Sequence, residues 1–145
     1  MSTNDFETLI KQLQQKITQK EQQTYSKKVI SEYQNPSNFG VLKKPTTTGV
    51  IHGPCGDSIK ITLTITKGII QQAKFWTDGC GATLACGSMI TKMITAKTIN
   101  QALNYTMEDI IKNLDGLPKN HTHCATLAIR SLHNALEKYN QKQTY

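Results

Sequence analysis

Four thiols are the residues of this 145-residue chain best suited to chemistry, and three of them keep distinctive company. Cys55 lies in His52-Gly53-Pro54-Cys55-Gly56-Asp57, Cys80 in Asp78-Gly79-Cys80-Gly81, and Cys124 follows His121-Thr122-His123. As thiolates they can bind a soft or borderline metal, or accept and pass on sulfur. Glycines beside Cys55 and Cys80 permit positive φ and close approach of backbone to a bulky ligand. Cys80 and Cys124 fall at predicted helix starts, where free N–H groups and the helix dipole favour the thiolate, so both are expected to be more acidic than free cysteine. Asp57 stands two residues after Cys55, a spacing that on a strand turns both side chains to one side, and His123 directly precedes Cys124. The intervals between the three thiols do not match the paired spacings of a zinc finger. On spacing alone, three buried cysteines acting as small hydrophobes remain the alternative. Cys86, inside a predicted buried helix, reads as a packed free thiol, with a secondary sulfur acceptor as its alternative.

The elements that must position these residues follow from hydrophobic period. Phe6, Leu9, Ile10, Leu13 and Ile17 form one apolar stripe, predicting an amphipathic helix over 4–23 with Asn4 or Asp5 as cap. It is read as lying on the domain body, with a partner- or dimer-contacting arm (a homodimer) as the alternative. A second helix, Tyr25–Tyr33, is closed by Asn35-Pro36. Residues 37–48 read as a mobile loop. Ile59, Ile61, Leu63 and Ile65 alternate with polar residues, predicting a strand with one wet face. Lys67-Gly68 turns it into a second strand over 69–76, and Val50-Ile51-His52 adds a short third. Leu84, Ala85, Met89, Ile90, Met93 and Ile94 then predict a buried helix over 82–95. Thr98–Gln101 and Thr106–Asp109 each read as a capping box opening a short helix. A last helix over 122–140 carries Leu127, Leu132, Ala135, Leu136 and Tyr139 on one side. Strands followed by helices predict an α+β domain, a small antiparallel sheet packed against helices, with an N-terminal helical extension.

Composition narrows the function classes. With 37% hydrophobic and 19% charged residues the chain fits one ordinary domain. No apolar run approaches the roughly 20 residues a bilayer requires, and the N-terminus has no secretory h-region. A cytoplasmic setting with reduced thiols is therefore expected, with no membrane contact. The net charge of +7 comes from lysines spread over every segment, with Arg130 the lone arginine. No aromatic residues interleave with them as a base-stacking platform would need, so nucleic acid is not expected as a partner. His52 and His133 read as solvated, on a loop and on the last helix.

Taken in order, several motifs resemble one known family. Tyr25-Ser26-Lys27-Lys28-Val29-Ile30 with Asn35-Pro36-Ser37-Asn38-Phe39-Gly40 looks like its opening. Gly53-Pro54-Cys55-Gly56-Asp57, Thr77-Asp78-Gly79-Cys80-Gly81, and Leu117-Pro118 followed by His123-Cys124 look like its three ligand loops. From Tyr25 to Tyr139 the chain thus resembles the IscU/NifU-type scaffolds for iron–sulfur cluster assembly. The resemblance implies residues 25–145 as scaffold domain and 1–24 as extension, and a protein that is not an enzyme. It implies Cys55, Cys80 and Cys124 as ligands of a transient [2Fe-2S] or [4Fe-4S] cluster, with Asp57 and His123 as auxiliary or exchangeable ligands. The implied partners are a cysteine desulfurase, an iron donor and apo-protein acceptors, and zinc is expected on the same residues when no cluster is bound. A zinc-bound sulfurtransferase or persulfide carrier is the alternative function. Many relatives carry Leu-Pro-Pro-Val-Lys before the last His-Cys pair. Here His121 stands where that lysine would be, and it reads as an exposed turn histidine, with a replacement donor as the alternative.

Overall fold

The computed structural model describes residues 3–54 and 56–143. In chain order the elements are α1 (Thr3–Thr24), α2 (Lys27–Gln34), β1 (Thr47–His52), β2 (Ser58–Thr66), β3 (Ile69–Thr77), α3 (Gly81–Ile94), α4 (Ile99–Leu103), α5 (Met107–Asn113) and α6 (Thr122–Gln143). A 3-10 turn, Lys119–His121, runs directly into α6. The three strands form one antiparallel sheet in the order β1-β2-β3. The α+β architecture expected from the periodicities is the one observed.

Local rules explain most boundaries. Lys67 (φ 53°) and Gly68 (φ 74°) both adopt positive φ, the two-residue turn whose twist matches the flanking strands. Ser26 caps α2 by accepting from the Val29 N–H, and Asn35 ends it ahead of Pro36. Thr98 and Thr106 open α4 and α5 with complete capping boxes, as their sequences predict. Such caps contribute about 1 kcal/mol each.

The core forms between the sheet and helices α3 and α6. Ile59, Ile61, Leu63, Ile70 and Phe75 from the sheet meet Ala85, Cys86, Ile90, Leu132 and Leu136, all fully buried. Gly87 lets α3 descend onto β3, since a Cβ there would lie 2.3 Å from the Phe75 ring. Helix α6 is fastened to β1 and β2 by polar bonds. Thr47 Oγ1 donates to the Ala135 carbonyl (2.7 Å), and Ser131 Oγ donates to those of Gly49 (3.2 Å) and Ile59 (3.1 Å).

Three sequence expectations change. Strand β1 is six residues long and begins at Thr47, inside the stretch read as loop. The remaining loop is not free: Asn38 and Gly40 exchange backbone bonds with Phe75 (2.9 and 2.7 Å), and Leu42 N–H donates to Thr62 Oγ1 (3.1 Å). This strap covers part of the sheet face expected to be wet, leaving Thr62 1% exposed. Finally, the α1 stripe does not lie on the body. Phe6, Leu9, Ile10 and Leu13 are 57%, 46%, 38% and 52% exposed, while the side chain of Ile17 is outside the described residues.

Candidate metal centre

The chemistry expected from the sequence gathers at one end of α3 and α6. Cys80 is the N-cap of α3, with extended backbone (φ −76°, ψ −179°), and is exposed. Cys124 sits in the first turn of α6 and is fully buried. Between them stands Thr83, also fully buried, whose Oγ1 donates to Cys124 Sγ (3.3 Å) and lies 3.6 Å from Cys80 Sγ. Gly79 makes room for that link, because a Cβ there would fall 2.9 Å from the Thr83 side chain.

The third member of the cluster is His121. One of its ring nitrogens and the sulfurs of Cys80 and Cys124 all lie within 4.8 Å of one another. The 3-10 turn carries it there, closed by the His121 N–H donating to the Pro118 carbonyl (2.9 Å). His121 is half-buried, which corrects the reading of it as an exposed turn residue. His123, by contrast, is exposed, with Nε2 3.7 Å from Cys124 Sγ and its ring stacked on that of His121 at 6.4 Å.

The acidic side of the site is built by the strand ends. Gly53 N–H donates to the Asp57 carbonyl (2.6 Å), Gly56 takes φ +88°, and Asp78 accepts from the Ser58 N–H (2.8 Å). These bonds hold Asp57 near enough for its charge to act on the Cys124 thiol. Cys55 itself lies outside the described residues.

Two thiols that share a helix-start position differ in acidity. Burial opposes ionisation of Cys80, yet hydrogen bonds from the Thr83 backbone and hydroxyl, the Ala82 backbone and Cys124 outweigh it and bring its pKa below the ordinary thiol value. Cys124 moves the other way. Burial raises it to about 11 against the help of the Thr83 hydroxyl, with the Cys80 charge, the bond with Cys80 and the Asp57 charge adding to the rise. The expectation that both would be acidic therefore holds for Cys80 and fails for Cys124, because desolvation exceeds the helix-terminus contribution. Cys86 is fully buried in the core, as its helical position predicts, and burial lifts its pKa well above the usual value. His52 is exposed and bonded to Ser58 Oγ (2.6 Å), whereas His133 is half-buried with a buried, unpartnered Nε2.

A thiol pair, an imidazole and an adjacent carboxylate at the ends of α3, α6 and β2 invite comparison with known proteins. Residues 24–145 match the family described as the NifU-like N terminal domain. The chain belongs to that family. Curated relatives of this NifU-like chain include the iron-sulfur cluster assembly scaffold protein IscU of Aquifex aeolicus (strain VF5), 38% identical over 122 residues, covering 82% of this chain and 78% of that protein. The scaffold protein IscU of Rickettsia prowazekii (strain Madrid E) is 40% identical over 124 residues, covering 82% of this chain and 94% of that one. Among solved structures, a NifU-like protein (N-terminal) from Brucella abortus shares the fold with a TM-score of 0.66 at 16% identity, over 82% of this chain and 96% of that one. The NifU-like match begins at residue 24, so α1 lies almost wholly before it.

Two participants escaped the sequence reading. Thr83 lies three residues after Cys80, the helical spacing that brings an N-cap and an N3 side chain together, so the signal was present. Tyr25, whose hydroxyl is 3.1 Å from His121 Nε2, gives no such signal, because ninety-six residues separate the pair.

Proposed function

We propose that this chain is a scaffold for iron–sulfur cluster assembly, taking up iron and sulfur on Cys55, Cys80 and Cys124 and passing the cluster to apo-proteins. The observation that carries the reading is the convergence of Cys80, Cys124 and an imidazole within 4.8 Å, in a chain of the NifU-like family. Relatives named as iron-sulfur cluster assembly scaffold proteins support it. In this reading the chain holds and transfers its cargo and is not an enzyme. Asp57 and His123 serve as exchangeable ligands beside the three thiolates. Four thiolates hold a cluster firmly, whereas three completed by an oxygen or nitrogen donor release it more readily. The cargo, [2Fe-2S] or [4Fe-4S], needs a cysteine desulfurase, an iron donor and apo-protein acceptors as partners. Among the described thiols Cys80, exposed and more acidic than an ordinary thiol, is the one best placed to meet the desulfurase.

The same donors suit tetrahedral zinc, which we assign to the cluster-free protein. No helix among the described residues is long and apolar enough to cross a membrane, and we place the protein in the cytoplasm with residues 25–145 as the working domain. Anaerobic reconstitution with iron, cysteine and a desulfurase tests the proposal. A coloured cluster transferable to an apo-ferredoxin is expected, and it is lost on Cys→Ser at position 55, 80 or 124. A colourless product from folded protein contradicts it. Stoichiometric zinc with persulfide and no iron uptake selects the zinc-bound sulfur carrier instead.

A further inference from the structure

His121 has two ring nitrogens with different fates. Nε2 is engaged by the Tyr25 hydroxyl at 3.1 Å, while Nδ1 is buried and has no hydrogen-bond partner among the described residues. A buried nitrogen left unpaired is unfavourable by about 1–3 kcal/mol, a cost that an ion bound at it would remove. The ring is nevertheless firmly placed. It packs on Tyr25 at 5.5 Å, and Tyr25 meets Tyr33 edge-on at 6.2 Å. Tyr33 in turn lies over Gly81, where a Cβ would come within 3.1 Å of the ring, immediately after Cys80. Ser26, next to Tyr25, donates to the Leu114 carbonyl (2.5 Å) and fixes the start of α2 to the end of α5. The histidine turn and the Cys80 helix start are thus clamped together by two aromatic rings.

We infer that His121 is a direct metal ligand of the cluster-forming site through Nδ1, with Tyr25 as its positioning residue. A histidine that binds metal through one nitrogen carries its proton on the other and donates it to a fixed acceptor, which sets tautomer and ring orientation. Tyr25 Oη is that acceptor here. With Cys80 and Cys124, His121 brings two sulfurs and a nitrogen together, a donor set suited to zinc, cobalt or a cluster iron. Tetrahedral donors around such an ion stand about 3.5–3.8 Å apart, and a His121 ring nitrogen already lies within 4.8 Å of both sulfurs. His123, exposed, stacked on the His121 ring and 3.7 Å from the Cys124 sulfur, is left as an exchangeable outer donor.

The inference rests on the scaffold reading for its cargo, but its test needs neither sulfide nor desulfurase. Reduced, zinc-free full-length protein is titrated with cobalt(II) without oxygen, and affinity and hyperfine-shifted proton spectra are recorded in H₂O and D₂O. Wild type should show thiolate-to-cobalt charge transfer and an exchangeable, shifted imidazole N–H resonance. His121→Gln should abolish that resonance and weaken cobalt binding at least about tenfold. His123→Gln should leave the resonance in place, because the shifted N–H belongs to the His121 ring. Tyr25→Phe should keep cobalt bound while the N–H resonance broadens through faster exchange with water. A resonance that survives His121→Gln, disappears in His123→Gln, or is absent from wild type overturns the assignment, as does an unchanged exchange rate in Tyr25→Phe. Failure of cluster reconstitution alongside an intact His121 signature would sink the scaffold reading and leave the ligand assignment standing.

Discussion

The middle and the end of helix α3 treat the same chemistry in opposite ways. In the middle, Cys86 is fully buried, Gly87 lies under the Phe75 ring, and Ser88 Oγ donates to Glu32 Oε2 (2.5 Å), a carboxylate that also pairs with Lys92. Every one of those groups is covered or satisfied. At the N-terminal end, Cys80 is exposed, Cys124 is buried and resists ionisation, and His121 keeps a nitrogen without a partner among the described residues. Polar groups are paired in the middle, and the two thiols and the imidazole at the end stand within 4.8 Å of one another. A thiol's role here is decided by its place along the helix rather than by its residue type.

The sharpest way to break the middle is Gly87→Ala. The added methyl meets the Phe75 ring, and overpacking of this kind should destabilise the fold by about 3 kcal/mol. Denaturant unfolding would show this, while cobalt affinity under folding conditions should hardly change. Loss of cobalt binding with unaltered stability would mean that middle and end are not separable.

A smaller loss is expected from Ser88→Ala, which removes one partner of the buried Glu32 carboxylate. About 1–3 kcal/mol should disappear from the unfolding free energy, again without an effect on metal binding. A change below the resolution of the titration would show that Lys92 alone satisfies the carboxylate.

Thiol reactivity sharpens the contrast without altering stability. Alkylation requires the thiolate, so its rate rises as pH approaches the pKa. In metal-free protein Cys80 should react ahead of Cys124 and Cys86, with a profile shifted below that of an ordinary thiol, because the Thr83 and Ala82 hydrogen bonds overcome its burial. Cys124 should be modified half-maximally only near pH 11, and Cys86 only once the protein unfolds. Peptide mapping across pH checks the order, and rapid modification of Cys124 at neutral pH would contradict it.

Much of this layout is legible in the chain. The alternation from Ile59 to Ile65, the Lys67-Gly68 turn and the capping boxes at Thr98 and Thr106 are local signals, and local physics produced the elements they predict. Strand β1 was underestimated because Thr47-Thr48-Gly49 carries no apolar alternation, its place being set by pairing with β2 and by bonds to α6. The strap over Thr62 and the contact of Tyr25 with His121 were invisible for the same reason, since both join distant segments. The acidity of Cys124 went wrong because its helix position is local, while its burial is a property of the whole packed end.

The central claim, a cysteine-based site that builds and gives up a cluster, is tested most directly by analysing iron, zinc and acid-labile sulfide in protein purified without oxygen. Iron and sulfide in equal amounts, both absent from Cys80→Ser, is the predicted result. Protein carrying zinc alone, with no sulfide even when purified alongside a desulfurase, would contradict it.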